Sequence, residues 1–369
     1  MQVLQNVFPE MTSFEWLEKA YRNARKSKRY RSEILRFSSD LDANLLEIQK
    51  QMREETFRFE TYRKHWIYVP KKRVVMALPF FSRIVQWSIY QELNPFFDKL
   101  FIEDSFACRK NKGALAAVLR VRYWMKLIDS KPGKWYVIKL DISKYFYRVD
   151  HAVLMDLLKV RIKDEKLLRL LDKIINCEGE KFGLPRFVGP AEAEEDDWLT
   201  DVGMPIGNLT SQLFANIYLN ELDQFCKHVL HVRFYARYMD DVVLFAPDKE
   251  TANYYRAEIG KFLLERLHLD LNNKTSVCPA DRVEFVGYII TANTLRLRKD
   301  TIRRIKAAFR GICAEYFAGE LTQEEFDRRV ASYKGMTDHC DNEGIRRRLN
   351  EIYIRAREKS KLKTGGQLL

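Results

Sequence analysis

Apolar side chains recur along this chain in two rhythms, one helical and one of strand type. Phe14, Leu17, Tyr21, Ile34 and Leu35 fall at roughly helical intervals among the eight basic residues of 14–36, which predicts a basic helical N-terminal extension. Two short apolar stretches, 66–69 and 74–78, flank Pro70-Lys71-Lys72-Arg73, the pattern of a hairpin with three cations at its tip. Helical patterning follows over 84–93 and 114–127. After Pro132-Gly133 comes a β-type run from Trp135 to Leu140 that ends at Asp141, and then a helix from about 150 to 175. Residues 177–201, punctuated by Gly and Pro and rich in acids from Glu192 to Asp201, predict a surface loop. A helix over about 210–229 follows, then strands at 232–238 and 242–246 joined at Met239-Asp240-Asp241. A helix over 250–267, short strands within 283–290 and a basic helical tail from about 300 complete the chain. Strands alternating with helices, then a helical tail, give an α+β fold rather than a doubly wound sheet.

Composition narrows the class. The 369 residues leave room for two or three subdomains, and 46% apolar against 31% charged side chains excludes collagen-like and disordered chains. No apolar run exceeds six residues (114–119), too short to span a bilayer, and residues 1–6 lack the basic and apolar regions of a signal peptide. A cytoplasmic protein with no membrane partner is expected. The six cysteines stand 27 or more residues apart, so no CxxC pair suggests zinc, a redox couple or a cluster, and they read as reduced packing residues. A formal charge of +13 favours a polyanion, with nucleic acid the leading partner.

The candidate chemistry lies in carboxylates. An Asp-Asp hairpin is by itself an ordinary turn, and an acid ending a strand is an ordinary cap. The reading sharpens when Asp141, at the end of a second apolar strand, is laid beside Asp240 and Asp241. Three converging carboxylates repel unless a cation neutralises them, and hard oxygen ligands suit Mg²⁺. Two such ions about 4 Å apart serve in-line phosphoryl displacement, the chemistry of a nucleotide polymerase.

Tyr238-Met239-Asp240-Asp241 between apolar strands, with Asp141-Ile142-Ser143-Lys144-Tyr145-Phe146 upstream, resembles the palm of a reverse transcriptase. Further segments resemble the same family in family order over roughly 66–290: the 71–73 cations, Ser82 to Gln86, Asp104 to Arg109, Leu271 to Thr275, and Val283 to Tyr288. The resemblance implies a right-hand polymerase fold of fingers, palm with antiparallel sheet, and helical thumb. It implies that Asp141, Asp240 and Asp241, with the Ile142 carbonyl, hold two Mg²⁺ ions, for which Mn²⁺ can substitute. It gives Lys71, Lys72 and Arg73 the triphosphate, Phe146 the sugar as a steric gate, and Lys274 the protonation of departing pyrophosphate. Tyr238, Met239 and the grip glycine Gly287 would touch nucleic acid, as would Arg303 and Arg304 on a basic helix face whose bland alternative is simple solvation.

Most members carry glutamine before the glycine of the 203–212 segment; here that position is Ile206, followed by Gly207. This resembles the reverse transcriptases of diversity-generating retroelements, which copy template RNA with errors at adenines. An alkyl group in place of an amide removes a directional restraint, and Gly207 without a Cβ would let backbone approach the nucleotide. The implied partners are template RNA, the RNA/cDNA duplex, dNTPs and a small basic oligomeric accessory variability protein. The rivals are a retron- or group II intron-type enzyme of ordinary fidelity and an inactive RNA-binding scaffold. The expected layout is an extension at 1–40, fingers at 41–133, palm at 134–295 with a 150–201 insertion, and thumb at 296–369.

Overall fold

The computed structural model describes residues 2–68, 73–177, 179–341 and 343–365. Its central sheet joins four strands: β3 (Tyr136–Asp141), β4 (Tyr235–Tyr238), β5 (Asp241–Ala246) and β6 (Ser276–Pro279). They run antiparallel in the order β4-β5-β3-β6. Both faces of this sheet are covered, which is why its strands read as nearly unbroken apolar runs. Ile138, Leu140, Val242, Leu244 and Ala246 point into one core, shared with helices Leu209–Gln224, Lys249–Leu267, His151–Arg161 and Glu165–Ile175. Val137, Val243 and Phe245 point into a second core, shared with helix Ala114–Asp129 and the C-terminal part of the chain.

The first core also takes in the N-terminal helices. Leu17, Ala20 and Tyr21 of helix Phe14–Ala24 are buried with Ile84, Val85 and Ile89 of helix Phe80–Asp98. The basic segment is therefore an amphipathic layer on the body of the protein, its cations on the outer side. Glu33 in helix Ser32–Ser39 pairs with Arg83 and, at 3.4 Å, with Arg63. Arg63 begins the separate hairpin of β1 (Arg63–Ile67) and β2 (Arg73–Ala77), whose last pair is Ile67↔Arg73. Lys71 and Lys72, expected at its tip, lie outside the described residues.

The helix expected over 150–175 is two helices, His151–Arg161 and Glu165–Ile175. Asp164 makes the break: its carboxylate caps the second helix by accepting from Leu167 N at 3.1 Å and also accepts from Phe8 N at 2.9 Å. Leu4 bonds Arg161 and Lys163 at the same place, so the N-terminus fills the gap between the helices. After the sheet, β7 (Val283–Phe285), β8 (Tyr288–Ile290) and β9 (Leu295–Leu297) form an antiparallel ribbon, followed by helices Lys299–Phe317, Gln323–Asp338 and Glu343–Gly365. The expectation that all cysteines pack inside is corrected: Cys108 and Cys278 are exposed, Cys108 in a turn at φ +56° and Cys278 on the edge strand β6. No described helix is long and apolar enough to cross a membrane.

Candidate active site

The site is assembled by strand register. Asp141, the last residue of β3, is the direct partner of Asp241, the first residue of β5. Tyr238 and Asp241 close the β4–β5 hairpin around Met239 and Asp240, with Met239 at φ +55°. A two-residue hairpin needs backbone of this kind to match the sheet twist, and Met is an uncommon occupant of it. Register and turn thus place Asp240 beside the Asp141–Asp241 pair, at one end of the sheet.

The environment of Asp241 indicates what the trio is suited to hold. Its Oδ2 accepts from Val286 N at 3.2 Å, whereas Oδ1 is enclosed without a hydrogen bond. Burial raises the Asp241 carboxyl above its usual range, the Lys139 ammonium and the Val286 amide pull it back, and Asp240 and Asp141 push it up again. Lys139 Nζ stands 3.9 Å from that Oδ1, an ion-pair neighbour but no hydrogen-bond donor to it. An enclosed, orphaned carboxylate oxygen among other acids is an environment a hard cation neutralises, and all-oxygen donors fit Mg²⁺ or Mn²⁺. Among the described residues no group of three or more His, Cys, Asp or Glu side chains stands close enough together to hold a metal ion as it is.

Segment 270–275 braces Asp141. Asn272 N donates to the Asp141 carbonyl at 2.7 Å, Asp141 N donates to Thr275 Oγ1 at 3.2 Å, and Ser143 N donates to the Asp270 carbonyl at 2.8 Å. In an antiparallel bridge of this form, Ile142↔Leu271, the intervening carbonyl of Ile142 points away from 270–272 and toward the β5 side. Exposed Lys274 follows two residues after Asn272, whose Oδ1 accepts from the Lys274 amide.

The expected nucleotide-binding residues are partly brought together. Met204 N donates to the Phe146 carbonyl and Gly203 N to that of Val149, so the 203–207 segment runs beside half-buried Phe146. Met76 N of β2 donates to the Ile206 carbonyl at 2.7 Å, tying the segment to the hairpin. Within the chain, Gly207 makes its close approach to β2: a Cβ on it would meet the Met76 carbonyl at 2.7 Å. Asn208 precedes helix Leu209–Gln224 without capping it, and its amide instead donates to the Tyr62 hydroxyl. Arg73 belongs to β2, at the edge of the described hairpin. Arg303 and Arg304 are exposed on helix Lys299–Phe317, far along the chain from the carboxylates.

Two residues at the site escape local sequence reading. Val286 and Gly287 form the β7–β8 turn with φ +47° and +83°, and it is the strained Val286 whose amide reaches Asp241. Arg237, fully buried in β4, pairs with Asp223 and donates to the Met239 carbonyl at 3.2 Å. The one available signal was a lone cation inside an apolar strand, which requires a buried partner.

An antiparallel sheet backed by helices, with acids gathered where β3 meets the β4–β5 turn, defines the palm of a right-hand polymerase. The chain belongs to the reverse transcriptase (RNA-dependent DNA polymerase) family, whose profile it matches over residues 62–290. It is 28% identical to Protein YkfC of Escherichia coli (strain K12) over 242 residues, 63% of this chain and 58% of that one. It is 26% identical to the group II intron-encoded protein LtrA of Lactococcus lactis subsp. cremoris, over 42% of this chain and 23% of LtrA. The putative COX1/OXI3 intron 2 protein of Saccharomyces cerevisiae is 26% identical over 40% of this chain and 15% of its own length. The chain thus spans no more than 58% of the length of any of these three relatives. Among solved structures, apo telomerase of Candida tropicalis, truncated from its C-terminal domain, overlays with a TM-score of 0.46 and 14% identity over 69% of this chain and 60% of that one.

Proposed function

We propose that the chain is an active, divalent-metal-dependent RNA-directed DNA polymerase. The observation that carries this reading is the direct pairing of Asp141 with Asp241, with Asp240 in the adjoining turn. Asp141, Asp240, Asp241 and the Ile142 carbonyl would hold a pair of Mg²⁺ ions, which when bound would activate the attacking hydroxyl and stabilise the charge on the leaving oxygen of phosphoryl transfer. The chain's own groups do the rest. Lys71, Lys72 and Arg73 hold the triphosphate, Phe146 packs under the sugar and excludes a 2′-hydroxyl, and Lys274 donates a proton to departing pyrophosphate. Tyr238, Met239 and Gly287 seat the primer end, and Arg303 and Arg304 of a thumb at 296–369 contact the duplex backbone. Fingers at 41–133 and palm at 134–295, with 150–201 inserted, complete the layout, packed against the basic helices of 1–40.

Within the family, Ile206 supports the diversity-generating type over the group II intron type that LtrA represents. A branched sec-butyl side chain gives the nucleotide surface without a directional hydrogen bond, so mispairs at template adenines are rejected less strongly. A cytoplasmic enzyme working on a retroelement template RNA, with a small basic accessory protein, fits this reading.

Primer extension on a defined RNA template with Mg²⁺ and dNTPs tests the activity: wild type extends, and Asp240→Asn falls by about a hundred- to a thousandfold, the scale of an essential electrostatic group. Extension that survives Asp240→Asn sinks the metal assignment. Sequencing the cDNA tests the subtype. Errors concentrate at template adenines and Ile206→Gln suppresses them; an even spectrum over the four bases, unchanged by Ile206→Gln, favours the ordinary-fidelity enzyme.

A further inference from the structure

Beneath the Met239-Asp240 turn lies a polar network that none of the assigned roles uses. Arg237 is 0% exposed, as is its partner Asp223 on helix Leu209–Gln224. Arg237 Nε donates to Asp223 Oδ1 and Nη2 to Oδ2, both at 2.7 Å, a two-pronged pair that fixes the guanidinium plane. The Tyr235 hydroxyl donates to the same Oδ1 at 2.7 Å. The remaining donors are also engaged: Nη2 to Ser105 Oγ at 3.1 Å, and Nη1 to Asn216 Oδ1 at 3.0 Å and to the Met239 carbonyl at 3.2 Å. Asn216 donates in turn to the Ala107 carbonyl at 2.9 Å. The Arg237 backbone bridges to Ser105, its carbonyl accepting from Phe106 N and its amide donating to Asp104 O.

A buried ion pair is weak evidence of stabilisation, because apolar residues of similar volume commonly serve a core as well or better. What an apolar replacement cannot do is donate to the Met239 carbonyl. Met239 sits at φ +55°, and such backbone persists where its surroundings over-determine it. The two residues that follow are Asp240 and Asp241. The same guanidinium grips helix Leu209–Gln224, which starts immediately after Ile206-Gly207-Asn208, so one side chain joins the helix behind the nucleotide segment to the turn carrying the acids.

We propose that Arg237 is a positioning residue: anchored by Asp223, it holds the Met239 carbonyl and thereby sets the direction of the Asp240 and Asp241 carboxylates toward their divalent cation. This rests on the polymerase reading above, and its test is separable from that reading. Arg237→Met alone strands the Asp223 charge and endangers folding. The informative variants are Arg237→Met combined with Asp223→Leu, which removes both charges, and Arg237→Lys, which keeps the ion pair but lacks the fork that reaches Met239 as well.

Each full-length variant is checked by thermal melting and titrated with Mn²⁺ alone, bound ion being read by electron paramagnetic resonance. Those that melt cooperatively are assayed by primer extension over a dNTP series. Losing the support behind a metal ligand costs about 10–100-fold. The expected result for folded variants is Mn²⁺ affinity and kcat each reduced within that range, with KM for dNTP within about threefold of wild type. If either folded variant keeps Mn²⁺ affinity and kcat within twofold of wild type, Arg237 is packing only and the proposal fails. If the double variant does not fold, Arg237→Lys decides by the same readings; if neither folds, Arg237 serves the fold and the proposal is likewise overturned. A wild-type chain that fails to extend any primer overturns the polymerase reading, and Mn²⁺ binding still reports on the turn.

Discussion

At Gly207 the backbone adopts φ +122°, and an added Cβ would stand 2.7 Å from the Met76 carbonyl and 2.9 Å from Val75 Cγ1. Only glycine accepts both constraints, since the conformation and the contact each exclude a side chain. Beside this contact, the hydrogen bond from Met76 N to the Ile206 carbonyl ties the 203–207 segment to β2. Gly207→Ala should therefore cost about 1–3 kcal/mol of stability and raise KM for dNTP, whereas Ile206→Val should change neither appreciably. Thermal melts and dNTP titrations check this; a Gly207→Ala enzyme with wild-type KM would separate β2 from nucleotide binding. At this scale the sequence was uneven. The acids at 240 and 241 were legible because a turn between two apolar strands is a local pattern. Arg237 was not, because its partner Asp223 is 14 residues away on a helix and nothing nearby says that they meet. Val286 was missed for a related reason: a β-branched residue argues against positive φ, and it is the Asp241 carboxylate, 45 residues away in sequence, that binds its amide there.

Elements were legible wherever one rhythm held for a full strand or helix. β3 and β5 stood out because burial on both faces makes them apolar throughout, and their ends fell within a residue of the pattern. The break at 162–164 was hidden, since Asp164 looks like an exposed helical acid until Phe8 arrives from the N-terminus to bond it. Among its described residues the acidic 177–201 stretch, unreadable by period, has only the short 3₁₀ turn Glu195–Asp197 as a helix, yet it is fastened to the 270–275 segment beside Asp141. Arg186 Nε donates to Asp270 Oδ2 at 2.7 Å, and its second prong reaches Oδ1. That hydrogen bond, ahead of the opposing effect of burial, holds the Asp270 carboxyl below its usual range. A depressed carboxyl contributes stability that is present above the unfolded carboxyl range, about pH 4, and is lost as pH falls through its folded value. Wild type should therefore melt above Arg186→Gln at pH 7, with the gap closing toward pH 3. A gap that stays constant across that range would mean that Arg186 acts through packing alone.

For the whole molecule, the two cores on either side of one sheet explain why distant segments meet at its end. Residues 8–269 supply the first core, while 106–349 supply the second, so the palm is the wall between them. Long-range pairing of this kind leaves no trace in local periodicity; it became readable only through motifs ordered as in a known family. The net charge of +13 belongs to this scale too, and it makes a prediction that catalysis alone does not. Each phosphate neutralised by a cation releases condensed counterions, so affinity for a primer–template duplex falls linearly with salt on logarithmic axes, by about 0.7–0.9 in slope per contact. The Arg303 side chain is 82% exposed with a 3.9 Å contact to Asp300, and Arg304 is exposed with a long contact to Thr301, so both can turn toward a backbone. Replacing both with glutamine should reduce the magnitude of the slope by roughly 1.5 while leaving the melting temperature near wild type, because neither side chain supports a core. Fluorescence anisotropy over a salt series reads the slope directly. A slope unchanged by the double replacement would mean that this helix face is merely solvated and that the duplex lies elsewhere; a slope near zero in wild type would remove phosphate contacts as the main term in binding.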